Sequence, residues 1–140
     1  MARSLALLIV VAACGRDQLA NSTPAAAPLA GKAYYRIDAG PQKPCASGAA
    51  CEAQLVLTAL GDYHLNQEYP FKFLGAPNAV SIDGTGAFGF DGAKRGTMTI
   101  TFRPAQPGTA KLVGTFKLSV CSNETCEIET PMLELAVPVT

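Results

Sequence analysis

Gly96-Thr97-Met98-Thr99-Ile100-Thr101-Phe102 alternates without interruption. Met98, Ile100 and Phe102 fall on one face, and Thr97, Thr99 and Thr101 on the other. That period of two is the pattern of a half-buried β-strand, and threonine and isoleucine suit a pleated surface. Moving outward, the same period returns in both directions. Lys111 to Cys121 places Phe116, Leu118 and Val120 on one face. Leu133, Leu135, Val137 and Val139 share a face in the last segment, with Glu134 outward and Pro138 marking an edge strand. Upstream, Lys32–Asp38, Glu52–Leu60, Tyr69–Leu74 and the short Ala79–Ile82 read as further strands. Pro70 lacks a ladder donor and puts the third of these at its start or at an edge. The helical period of 3.6 is absent from Lys32 onward.

Turn residues separate these segments at the spacing of an all-β domain. The expected fold is all-β: an immunoglobulin-like antiparallel β-sandwich over residues 32–140, with an eight-stranded barrel or jelly roll as the alternative. Tyr35, Phe71, Phe73, Phe102 and Phe116 fall in strand phase and are expected in the core, as are Met98, Ile100, Leu118, Leu133 and Leu135. Gly84 to Gly92, GTGAFGFDG, follows no strand-to-helix unit. It reads as a flexible loop or an irregular edge, not as a phosphate cradle.

The first 31 residues have a different character. Met1-Ala2-Arg3 is a minimal basic region, and Ser4–Ala13 is an apolar run of the length of a secretory leader, far short of a membrane span. Val11-Ala12-Ala13-Cys14 fits the bacterial lipobox, in which the cysteine thiol is lipidated. Residues 1–13 are therefore expected to be a lipoprotein signal peptide. Residues 14–31 are expected to be lipidated Cys14 and a flexible tether, since GRDQLANSTPAAAPLAG offers no apolar face to repay its ordering. The implied partner is the lipid bilayer, reached through acylated Cys14. Gly15 rather than aspartate after that cysteine points to the outer membrane in a bacterium that has one.

Charge excludes some functions. Eleven basic residues balance eleven acidic ones, with no basic run or stripe, so nucleic acid is not an expected partner. No residue pattern calls for a cofactor. His64, the single histidine, lies in Asp62-Tyr63-His64-Leu65-Asn66, has no spaced metal-ligand partner and no serine in a nucleophile context. It reads as a hydrogen-bonded structural residue.

Cys45, Cys51, Cys121 and Cys126 form two close pairs, the usage of an oxidising compartment. Four cysteines allow three connectivities. Local closure favours Cys45–Cys51 and Cys121–Cys126, each bridging a short loop between successive strands. Neither pair has zinc-knuckle spacing, so no metal site is expected. Glu124, Glu127 and Glu129 flank Cys126, as a solvated rim or a docking patch for a basic partner. Their charge would oppose a thiolate at Cys126. These features predict a structural staple. The expected function is a non-enzymatic, membrane-anchored envelope lipoprotein that binds a protein of the envelope or supports its structure. The alternative is a thiol–disulfide electron carrier using Cys121 and Cys126.

One resemblance bears on that choice. Phe116-Lys117-Leu118-Ser119-Val120-Cys121-Ser122-Asn123-Glu124-Thr125-Cys126, followed by Pro131 and Leu133-Glu134-Leu135, resembles the end of the amino-terminal periplasmic domain of the thiol:disulfide interchange protein DsbD. Gly61-Asp62-Tyr63-His64-Leu65-Asn66 with Tyr69-Pro70 resembles that domain's Trp-His-Ile-Asn-Ser segment and later proline. The resemblance implies an immunoglobulin-like fold whose terminal pair, here Cys121 and Cys126, cycles between dithiol and disulfide. It lacks a counterpart for Cys45 and Cys51.

Overall fold

Alternation along each strand decides which face is buried, and two such faces meet in this molecule. A computed structural model describes residues 26–77 and 79–140. The expected signal peptide, Cys14 and most of the expected tether lie outside the described residues. The strands are β1 (Ala30–Lys32), β2 (Tyr35–Ala39), β3 (Cys51–Ala59), β4 (His64–Leu65), β5 (Lys72–Gly75), β6 (Ile82–Phe90), β7 (Arg95–Phe102), β8 (Gly108–Cys121), β9 (Cys126–Glu129) and β10 (Met132–Val139). One sheet runs β1-β2-β3-β7-β6. The other is built on the long strand β8. All pairings are antiparallel. The domain is an all-β, immunoglobulin-like sandwich of two antiparallel sheets.

β8 carries two strands on each edge. β10 pairs with its first half and β9 with its end; Pro131, which cannot donate, interrupts what would otherwise be one return strand. β5 and β4 line the opposite edge. Pro138 accordingly lies in an edge strand, and Pro70 just precedes β5. At Gly114, β8 is flanked by β5 on one side and β10 on the other. A Cβ there would run into the Leu74 carbonyl and lie 2.7 Å from the Phe73 ring. Glycine is required for this close approach.

The inner faces supply the core. Met98, Ile100 and Phe102 from β7 meet Phe116, Leu118 and Val120 from β8, each at most 1% exposed. Full burial of a side chain of this size contributes roughly 1.5–3 kcal/mol. Tyr35, Phe71, Phe73, Leu133 and Leu135 are buried with them. Between the free edges of β5 and β6, Phe71 stacks on Phe88 at 4.1 Å, and both approach Phe116 at 6.4 and 6.1 Å. These rings close the seam between the sheets.

Three segments differ from the sequence reading. Lys32–Asp38 is not one strand but a hairpin, with Ala33-Tyr34 at its turn and Lys32 opposite Tyr35. Leu29 donates its N–H to the Ile37 carbonyl, so the hairpin begins inside the stretch assigned to the tether. Strand structure starts at Ile82, where the short Ala79–Ile82 strand was expected to end. It continues through the glycine-rich segment, which is the irregular edge of the two alternatives that stretch offered. The register shifts between Asp83 and Ala87, and Gly86 sits at φ 78° over Met98, where any Cβ would strike the sulfur.

Candidate functional site

β8 ends in a hairpin that exposes sulfur. Leu118, Val120 and their neighbours drive the strand into the core, and the alternation puts Ser119 and Cys121 on the outer face. Ser122 donates its N–H to the Thr125 carbonyl at 2.8 Å, and the Ser122 hydroxyl accepts from the N–H groups of Glu124 and Thr125. This polar lock holds a two-residue tip, Asn123-Glu124. It brings Cys121 directly opposite Cys126 with Cα atoms 4.0 Å apart, at a narrow, non-hydrogen-bonded pair of the ladder, and the two are joined as a disulfide.

The two disulfides differ in surroundings. Cys45–Cys51 has both residues buried, 4% and 3% exposed. Its loop is tied to the chain end by the Thr140 N–H on the Cys45 carbonyl and the Ser47 N–H on the Thr140 carbonyl. That bridge pins a loop with no ladder of its own. In the other pair Cys121 is buried at 7%, whereas Cys126 is exposed.

The acidic triplet is not a uniform solvated rim. Glu124 is exposed at the tip. Glu127 and Glu129 alternate to the opposite face from Cys126, facing Val120 and Leu118 in register. Glu129 bridges the sheets: its carboxylate accepts from Lys32 Nζ at 2.7 Å and from the Tyr34 hydroxyl. Tyr34 in turn stacks on Tyr63 at 5.0 Å. The hydrogen bonds from Lys32 and Tyr34 hold the Glu129 carboxyl below the usual carboxylate range, and the same contacts raise Lys32 and Tyr34. Of the charge expected to oppose a Cys126 thiolate, that of Glu127 and Glu129 is turned to the other face and Glu129 is paired, while Glu124 remains at the tip.

On the other side of β8, His64 is the register partner of Cys121. It is exposed, while the next residue, Leu65, is buried against Val120. Directly opposed residues of an antiparallel ladder project to the same face. His64, Cys121 and Cys126 therefore form one row across three strands. The sequence placed no basic group beside the pair; only the β4–β8 register does so. A shallow cleft of about 300 Å³, lined by Asp62, Tyr63, Ser122, Asn123 and Glu124, adjoins the row. Further along the same outer face stand Ile128, Leu74 and Met132, 64%, 40% and 71% exposed, with Lys72 and Lys117 paired between them. Among the described residues no cluster of three or more potential ligands is placed to hold a metal ion.

Fold and site together define an immunoglobulin-like sandwich bearing one sealed disulfide and one cross-strand disulfide at its surface. No protein-family model matches this chain, and no curated protein sequence matches it. Among solved structures it aligns with PapD-like domain 7, an ASH/PapD-like domain of human CEP192, at 14% identity, over 100% of this chain and 98% of that one, with a TM-score of 0.37. A likeness at that level adds nothing to what the strand pairings establish.

Proposed function

We propose that this domain is a thiol–disulfide carrier of the cell envelope, working through Cys121 and Cys126 and held at a membrane by a lipid on Cys14. The observation that supports exchange is the contrast between the bridges: a sealed Cys45–Cys51, and a Cys121–Cys126 bridge with one residue open to solvent. Exchange requires access of a thiolate to one sulfur, and exposed disulfides are the labile ones. Cys126 is the exposed member of this pair. An incoming thiolate would bond to its Sγ, and the electron pair of the broken S–S bond would leave on the Sγ of buried Cys121. The reverse attack by Cys121 would release the partner. The Val11-Ala12-Ala13-Cys14 motif and the cysteine usage support the envelope location.

Trapping tests the reading. In Cys121→Ser, Cys126 should form a stable mixed disulfide with glutathione in an oxidised/reduced glutathione buffer. In Cys126→Ser, the buried Cys121 should do so several-fold more slowly. Equal, negligible labelling of both would refute exchange. A purely binding role for an envelope protein is the second reading. It is favoured by the exposed Ile128, Leu74 and Met132 on that same face, with Lys72 and Lys117 between them.

A further inference from the structure

If Cys121 is the leaving sulfur, as the exchange reading requires, something must receive the charge that appears on it. Burial makes this harder, because a thiolate withdrawn from water is disfavoured. Cys121 is buried at 7%, and its own loop is polar and acidic at Glu124. The single group in register with it that can carry a positive charge near neutral pH is His64. Cross-strand partners hold their Cβ atoms about 4.5–5.5 Å apart, within reach of an imidazole to a sulfur. We infer that His64 serves the Cys121–Cys126 disulfide as the cation and proton donor for the departing Cys121 sulfur.

The step balances as follows. A thiolate of a partner dithiol attacks Sγ of Cys126. The new partner–Cys126 bond forms, the Cys121–Cys126 bond breaks, and its electron pair remains on Cys121. The His64 imidazolium stabilises that thiolate and passes it a proton. The second thiolate of the partner then attacks the partner's own sulfur in the mixed disulfide and releases Cys126, which takes a proton from water. The partner dithiol is oxidised by two electrons and the cysteine pair is reduced by two.

The other charged groups around this row are Asp62 in the β3–β4 turn, Lys94 in the β6–β7 turn, Glu124 at the hairpin tip, and Glu127 on β9's inner face. Lys94 is engaged with the Gly61 carbonyl, and Asp62 and Glu124 both line the cleft. Among the charged and ionisable groups around this row, His64 alone carries an imidazole, the side-chain class suited to donating a proton near neutral pH.

The test is the rate at which dithiothreitol reduces Cys121–Cys126 in the full chain and in His64→Gln. Thiols are quenched by alkylation and assigned by peptide mass mapping. Taking the ratio of wild type to variant at each pH removes the titration of the reductant. The ratio should be about tenfold near pH 6 and fall toward one near pH 8.5, the pH dependence expected when an imidazole supplies the proton. A ratio that does not change with pH overturns the role of His64 while leaving exchange intact. Failure of dithiothreitol to reduce this bridge in either protein overturns both. Retention of the buried Cys45–Cys51 bridge reports that each protein stays folded. If His64→Gln loses that bridge, His64→Lys replaces it. With a permanent cation, it should match wild type near pH 6 and exceed it near pH 8.5, and a lysine variant slower at both values overturns the inference.

Discussion

Removing the Cys121–Cys126 bridge should weaken the domain without unfolding it, and the size of the loss follows from the hairpin. The two cysteines are five positions apart. Freeing so short a loop restores denatured-state entropy worth about 2 kcal/mol at 25 °C. Little else is lost in Cys121→Ala/Cys126→Ala. Leu118–Glu129, Ser119–Ile128 and Val120–Glu127 remain paired, and the Ser122–Thr125 lock still closes the tip. The Cys45–Cys51 loop has a similar entropic term, with a separation of six, but no ladder, and both of its sulfur-bearing residues are buried. Alanine at both of those positions should cost about 3–4 kcal/mol, the surplus coming from lost packing. Urea unfolding followed by circular dichroism measures both, as a shift of the midpoint at constant slope. For a domain of this size, 2 kcal/mol corresponds to a fall in Tm of roughly 10 °C. Equal losses for the two double variants, or non-cooperative unfolding of Cys121→Ala/Cys126→Ala, would refute the assignment of one bridge to structure and the other to exchange.

Other expectations test single contacts. Gly114→Ala should destabilise by about 2–3 kcal/mol, because the Leu74 carbonyl and Phe73 ring of β5 press on that position and β8 is held between β5 and β10; thermal melts check this, and a neutral result would contradict the close approach. Glu129→Gln should cost about 1 kcal/mol at pH 7, modest because Lys32 is half exposed. The folded-state pKa of Glu129 is lowered, so its stabilisation is present above the ordinary carboxylate range and lost as pH falls through the lowered value. Melts of both proteins should therefore converge in strong acid, and a gap that persists there would contradict the linkage. Cys14→Ser should abolish acylation and release the protein from membranes, as read by the intact mass and by fractionation; unchanged membrane partition would contradict the anchor.

The sheet cores were legible because their signal is local. Gly96–Phe102 and Leu133–Val139 each keep one solvated face, so the period of two survives in composition. The β1–β2 turn was not legible, because Ala33-Tyr34 carries none of the glycine, asparagine or aspartate that marks a two-residue hairpin. Tyr34 is held there by Glu129, 95 positions away. The glycines of β6 left a flexible loop and an irregular edge both open, since a residue without a side chain marks no face. Register is the deeper obstacle. Nothing near His64 in sequence points to Cys121, and a shift of one residue in β4 would turn the imidazole inward. The same alternation explains why Glu127 and Glu129, adjacent to Cys126 in sequence, do not share its face.

The reduction potential of Cys121–Cys126 tests the central claim most directly. Equilibration of the full chain in graded glutathione buffers, with alkylation and mass mapping of each pair, yields the two potentials separately. Exchange predicts a value between about −270 and −120 mV for Cys121–Cys126, the range of dithiol carriers, with Cys45–Cys51 staying oxidised throughout. A value below about −300 mV, level with inert structural bridges, would contradict it.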